Sequence, residues 1–293
     1  MSSAEELTSP KRPLPQCWAV CGASAASPVY TLANYEQALR DGAEGLECEV
    51  QMTRDNVVVL YDNLTSNLQG PTTGTGVVAD HHWYGPSGLE HVRTTQEPQR
   101  PLATFPEIVA LLVKPEHQHV TLLVNLKITP RVSELFEHLR AALAAHGGPE
   151  WEDQLAPRIV LGFWSTLDIR YAKATLPRCP RAYVGWGTMM GEMSFWDECT
   201  TFAIDYPVLV YEGSRFVDKC HAAGKRVVAW GVKEPAQMVE CVRLEVDAIL
   251  TERTGEWLEL RKRLGDDYEA AMAQYEPMRP KIPWYYRPMK LAL

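Results

Sequence analysis

Two glutamates two residues apart, Glu47 and Glu49, are the side chains of this sequence whose type and spacing most readily do chemistry. They lie in Gly45 to Met52 (GLECEVQM), where the period-two alternation of a strand puts Glu47, Glu49 and Gln51 on one face and Cys48, Val50 and Met52 on the other. Paired carboxylates on one strand face form half of a site for Mg²⁺ or Ca²⁺, because hard cations take oxygen ligands. Asn125 can add a neutral oxygen and Lys127 a positive charge, which together suit a phosphate group. The turn signal Thr53-Arg54-Asp55-Asn56 leads into the β-branched run Val57 to Leu60. A hairpin centred there pairs residues whose numbers sum to about 110, which sets Tyr61 and Asp62 opposite Glu49. A phenol in that place can donate a proton. Cys21 reads either as a nucleophile or as a small inert hydrophobe.

These residues need a scaffold that brings them to one place. Apolar strands alternate with amphipathic helical segments along the chain: strand Cys17 to Cys21, helix Thr31 to Asp41 capped by Gly42, strand Gly45 to Met52, helix Phe105 to Val113, strand Val120 to Leu126 and helix Arg131 to Ala145. The rhythm continues with strand Arg158 to Phe163, helix Thr166 to Thr175, strand Ala182 to Trp186 and a mainly helical stretch from Ser194 to Ala223. Strand Arg226 to Val232, helix Pro235 to Leu244, strand Ala248 to Leu250 and helix Thr254 to Leu264 complete it. About eight such units in roughly 250 residues imply an α/β fold of the TIM-type (β/α)8 barrel class. The barrel is expected over residues 17–264, with an insertion over residues 63–100 after the early hairpin, a flexible N-terminal arm over 1–16, and a Pro/aromatic C-terminal tail over 265–293. That insertion, rich in Gly, Thr, Pro and His, is too long for an ordinary connection. In a parallel barrel the working residues stand at the C-terminal strand ends. By that rule the pocket holds Cys21, Asp62, Trp164, Trp186 and Trp230 to Lys233 around Glu47, Glu49, Tyr61, Asn125 and Lys127.

Composition removes several classes of function. With 29 basic against 37 acidic side chains, the net charge of −8 argues against a sequence-independent grip on nucleic acid or anionic membrane. No run of roughly 18 apolar residues offers a transmembrane segment. Seven scattered cysteines form no CxxC pair, so they read as free thiols of a reducing compartment and the chain as cytoplasmic.

Several blocks in order carry a resemblance over about Trp18 to Leu264: AVCGASAASPVYTLANYEQAL, GAEGLECEVQMTRDNVVVLYDN, LLVNLK, RIVLGFW, VVAWGVKEPAQM and VDAILTE. They resemble the glycerophosphodiester phosphodiesterase family, of the PLC-like phosphodiesterase fold, and closer still its branch with fungal-type phosphatidylglycerol phospholipase C. The resemblance implies a divalent cation held by three acidic side chains, an Arg and a Lys that bind phosphate, and two His as general acid and base. Carried over, the metal positions are Glu47, Glu49 and Asn125, the phosphate Lys is Lys127 and the pocket Trp is Trp230. The departures are large: the two His positions hold Val20 and Tyr61, the Arg position holds Cys21, and the "PENT" Glu and Asn positions hold Val29 and Tyr30.

Proton transfers in general acid–base catalysis are each worth roughly 10² to 10⁴-fold. Val20 moves no proton, and a phenol with a reference pKa near 10 is a poor base. Loss of the His pair, with tryptophans at three strand ends, implies a pocket that has lost polarity. The leading expectation is therefore a repurposed barrel acting as an isomerase, cyclase or lyase of specialised metabolism on a small apolar or aromatic molecule, with Tyr61, Lys127, Glu47 and Glu49 as its catalytic groups. The alternatives are a divergent Mg- or Ca-dependent glycerophosphodiester or phosphatidylglycerol phosphodiesterase, and a non-catalytic pseudoenzyme.

Overall fold

The apolar run after Pro15 forms strand β1 (Gln16–Val20), and helix α1 (Leu32–Asp41) follows it. The Thr31 hydroxyl caps α1 by accepting the Asn34 N–H, and Gly42 ends it in the left-handed region at φ 100°, its N–H donating to the carbonyls of Ala38 and Leu39. Strand β2 (Gly45–Met52) then turns into β3 (Val58–Leu60) as an antiparallel hairpin, in which Val50 faces Leu60 and Met52 faces Val58. The computed structural model describes residues 12–22, 28–61, 67–126 and 131–278. Asp62, Lys127 and the Trp284 to Tyr286 segment fall outside them.

Six further strands complete the sheet: β4 (Thr121–Leu126), β5 (Ile159–Phe163), β6 (Arg181–Gly185), β7 (Thr201–Asp205), β8 (Arg226–Trp230) and β9 (Ala248–Thr251). Each pairs in parallel with its neighbour, and β9 returns to β1, which also pairs with β2, so the eight parallel strands close into a barrel with β3 as an outer flap on β2. This is the TIM-type barrel that the sequence implies. Helices α1, α2 (Phe105–Leu112) and α3 (Val132–Gly147) pack outside it with the later helices.

Alternation along the strands sorts side chains into two layers. Leu46, Cys48 and Val50 of β2 point outward into the helix-covered core. Trp18, Leu123, Val184, Val228 and Leu250 fill the barrel interior. Gly45 is required beneath Trp18, because a Cβ at that position would lie 2.4 Å from the indole ring. All seven cysteines are buried and free. Among the described residues no helix is long and apolar enough to cross a membrane.

The expectation of a mainly helical stretch from about Ser194 to Ala223 omits β7, which runs through its middle. TFAID is a five-residue apolar run, and at that length periodicity does not separate a buried strand from a buried helical turn. The described part of the insertion has its own small core, in which Leu68, Val78, Trp83 and Leu89 pack against Val59, Tyr61 and Leu102. The segment after Leu264 begins with a short helix, Tyr268–Ala273.

Candidate active site

The strand register assembles the acidic centre. Val20 of β1 stands beside Glu47 of β2, and Glu49 stands beside Asn125 of β4. Glu47 is buried, and three hydrogen bonds hold it: Asn125 Nδ2 donates to Oε1 at 3.1 Å, and the Cys21 N–H and Sγ lie 3.2 and 3.4 Å from Oε2. Cys21 itself sits in the left-handed region at φ 45°, unusual for a residue with a Cβ, and the Asn34 amide donates to its carbonyl at 2.7 Å. Burial, reinforced by the charge of Glu49, outweighs the hydrogen bonds to the ionised form, and the Glu47 carboxyl is pushed up to about 7. The same burial, with the charges of Glu47 and Glu49, pushes the Cys21 thiol well above its ordinary value. Cys21 therefore supports Glu47 and is no thiolate nucleophile.

Asn125 decides what the carboxylates can hold. Its Nδ2 lies 3.1 Å from Glu47 Oε1 and 3.5 Å from Glu49 Oε1, while its Oδ1 accepts the Trp164 indole N–H at 2.8 Å. An indole N–H can only donate, so the Asn125 oxygen is held toward Trp164 and its N–H groups toward the two carboxylates. A cation between Glu47 and Glu49 would meet those N–H protons in place of a third oxygen. This donor set does not fit a divalent cation, and among the described residues no group of three or more His, Cys, Asp or Glu side chains is placed to bind one.

The carboxylates open into a cavity of about 280 Å³ at the C-terminal end of the barrel. Val20, Trp164, Trp186 and Trp230 line it with Glu47, Glu49 and Asn125, all but Val20 as the strand-end rule implies. Asp62 and Lys127 lie outside the described residues. Tyr61 goes elsewhere: its N–H pairs with the Glu49 carbonyl at 3.0 Å, as the hairpin register requires, but its ring is buried against Tyr30 in the insertion core and its hydroxyl donates to the Asn67 carbonyl at 2.8 Å. Its assignment as the catalytic proton donor is corrected by that placement, because β3 ends at Leu60 and the chain then follows the insertion. Thr251, the last residue of β9, and Glu252, just past it, also line the cavity within VDAILTE, where the strand-end rule points. Asp205, at the end of β7 opposite Trp230, escaped notice because its strand did.

Residues 22–256 match the model of the glycerophosphoryl diester phosphodiesterase family. A Mycobacterium tuberculosis protein bearing the name "Probable glycerophosphodiester phosphodiesterase 1" is 30% identical over 261 residues, which is 81% of this chain and 90% of the relative. Among solved structures, a Parabacteroides distasonis glycerophosphodiester phosphodiesterase superposes with a TM-score of 0.70 at 18% identity, covering 87% of this chain and 99% of its own. An Oleispira antarctica phosphodiesterase in complex with the product sn-glycerol-3-phosphate superposes with a TM-score of 0.68 at 19% identity, covering 84% and 96%. These likenesses overturn the expectation of an isomerase, cyclase or lyase of specialised metabolism: the family and its named relative are phosphodiesterases, and nothing among them points to a non-hydrolytic reaction or to an apolar substrate.

Proposed function

Because the chain belongs to the glycerophosphoryl diester phosphodiesterase family, we propose that its barrel-mouth cavity hydrolyses a small phosphodiester of the glycerophosphodiester class. The observation that carries this reading is the Glu47–Glu49 pair, whose two members occupy unlike environments on one strand face. Glu47 is fully enclosed and holds its proton close to neutrality, whereas Glu49 is half-buried at the cavity wall. Two carboxyls in such different environments divide naturally into acid and base.

In this mechanism Glu49 takes a proton from a water as that oxygen attacks phosphorus. The bond from phosphorus to the departing alcohol oxygen breaks, and Glu47 delivers its proton to that oxygen. Hydrolysis yields an alcohol and a phosphomonoester, and exchange with solvent returns the pair to its starting protonation. When Glu47 is protonated on Oε2, that oxygen can accept the Cys21 N–H and donate to Cys21 Sγ, so one cradle serves both charge states. Asn125 orients both carboxyls, and Trp164 orients Asn125. No step is assigned to a cation at Glu47 and Glu49, because Asn125 turns its amide nitrogen to them.

The test is hydrolysis of bis(p-nitrophenyl) phosphate and of a glycerophosphodiester by the purified protein, beside Glu47→Gln and Glu49→Gln. Release of nitrophenol and of glycerol phosphate that falls roughly 10² to 10⁴-fold in each variant supports the reading, a range set by what a proton transfer contributes. Equal turnover in all three proteins would remove it.

A further inference from the structure

A phosphodiester brings a negative charge into a cavity whose lining includes Glu47, Glu49 and Glu252. The two carboxyls of the proton transfers act on the attacking and the departing oxygen. The two remaining phosphoryl oxygens carry the charge of the diester through the reaction, and a positive group held against them lowers the barrier. Among the described residues that line the cavity, Lys233 is the one cationic side chain.

The fold pins the backbone of Lys233 and leaves its ammonium to a ligand. The residue stands on the turn that leads from β8 into the helix Pro235–Arg243. Gly231 opens that turn in the left-handed region at φ 77°, where a side chain would be strained and its Cβ would lie 3.3 Å from Asp205 Oδ1. The Val232 carbonyl accepts the Thr251 hydroxyl at 2.7 Å, and the Gln237 side-chain oxygen accepts the N–H of Lys233 at 2.7 Å and that of Glu234 at 3.0 Å. With the turn fixed on both sides of Lys233, the freedom left to the residue is that of its four-carbon stem. Arg253, which follows Glu252 at the same end of the barrel, is already engaged: its guanidinium donates to the Glu256 carboxylate at 3.1 and 3.2 Å and lies 3.8 Å from that of Glu234. Lys233 is exposed at the rim, and no carboxylate among the described residues pairs with it. An ammonium in that position is a compact point charge with three donors, which suits a phosphoryl oxygen.

We propose that the Lys233 ammonium binds the phosphate group of the ligand at a non-bridging oxygen, so that the anion lies between the β8 turn and the carboxyls of β2, and that in the diester it supports the charge on that oxygen as water attacks. The inference rests on the phosphodiester reading given above for the reaction, while the anion contact is defined by Lys233 and its turn alone. A contact of this kind acts on kcat as well as on binding where it is stronger in the transition state than in the bound substrate.

Glycerol 3-phosphate is the probe for the contact, titrated by calorimetry or by quenching of tryptophan fluorescence into the wild type, Lys233→Gln and Lys233→Arg. The wild type should bind it about tenfold tighter than Lys233→Gln, the scale of one charge-assisted hydrogen bond, and Lys233→Arg should keep most of that affinity. Added salt should weaken the wild type more steeply than Lys233→Gln, because the attraction is between charges near water. As the Lys233 side chain is exposed and holds no other part of the fold, neither substitution threatens folding. Equal affinity in the wild type and Lys233→Gln, or one salt dependence for both, overturns the inference. Turnover of bis(p-nitrophenyl) phosphate separates the two levels: kcat should fall about tenfold in Lys233→Gln and recover in Lys233→Arg. If none of the three proteins cleaves the diester while binding of glycerol 3-phosphate still depends on Lys233, the hydrolytic reading fails and the anion contact stands. If the wild type and Lys233→Gln cleave it at one rate, the hydrolytic reading stands and the inference fails.

Discussion

Glu47→Gln gives a pH signature that can be worked out from its surroundings. The carboxyl has an ordinary value of 4.5 and is pushed up to about 7 in the folded chain, first by burial and then by Glu49. Between those two values the unfolded chain has released this proton and the folded chain still holds it. The carboxyl's effect on stability is therefore most favourable below 4.5, worsens as pH rises toward 7, and is constant above that. At about 1.4 kcal/mol per pH unit, the full loss across the interval is about 3 kcal/mol. Glutamine cannot ionise and should remove the slope. It also has one acceptor oxygen where the carboxylate has two, so one of the donors from Asn125 and Cys21 faces an N–H in place of an oxygen. That mismatch costs about 1 to 3 kcal/mol and does not depend on pH. Urea unfolding of both proteins at half-unit steps from pH 4.5 to 8 separates the contributions. The variant should be the less stable at low pH, and the gap should close or reverse as pH rises. Glu49→Gln should flatten the wild-type slope in part, because the like charge is gone. Stability curves that run parallel from pH 4.5 to 8 would refute the reasoning.

Two further outcomes follow from single contacts. Asn125→Asp replaces the amide nitrogen that faces Glu47 and Glu49 with an oxygen, so millimolar Mg²⁺ or Ca²⁺ should raise the melting temperature of the variant and leave the wild type unchanged; a cation-dependent rise in the wild type would contradict the orientation assigned to Asn125. Gly45→Ala puts a Cβ 2.4 Å from the Trp18 ring in the barrel interior and should destabilise the fold by about 1 to 3 kcal/mol or more in denaturant unfolding, whereas an unchanged midpoint would mean that Trp18 can move aside.

How far the sequence could be read depended on whether a feature was local. Alternation along GLECEVQM is a property of eight consecutive residues, and it placed Glu47 and Glu49 on one face because a strand has no other way to display them. The hairpin register, the Gly42 cap of α1 and the three tryptophans at strand ends are legible for the same reason. The features that escaped depend on partners far along the chain. The direction of the Asn125 amide is set by an indole N–H 39 residues away, and no spacing rule encodes it. Tyr61 was placed correctly by the register, yet its side chain follows the insertion core, whose composition of Gly, Thr and Pro announced a loop without saying what it covers. β7 is short and apolar between two helical segments, so only barrel closure identifies it, and Asp205 went unnoticed with it. The chemical class went astray for a related reason. Loss of the His pair reads in the sequence as loss of the reaction, although the enclosed environment of Glu47 offers another source of the proton.

Hydrolysis of a glycerophosphodiester followed by phosphorus NMR, with wild-type protein and Glu49→Gln side by side, tests the central claim most directly. The account predicts that the diester resonance is replaced by that of a phosphomonoester in the wild type and persists in the variant. A diester resonance that the wild type leaves unchanged, or that both proteins consume at one rate, would contradict it.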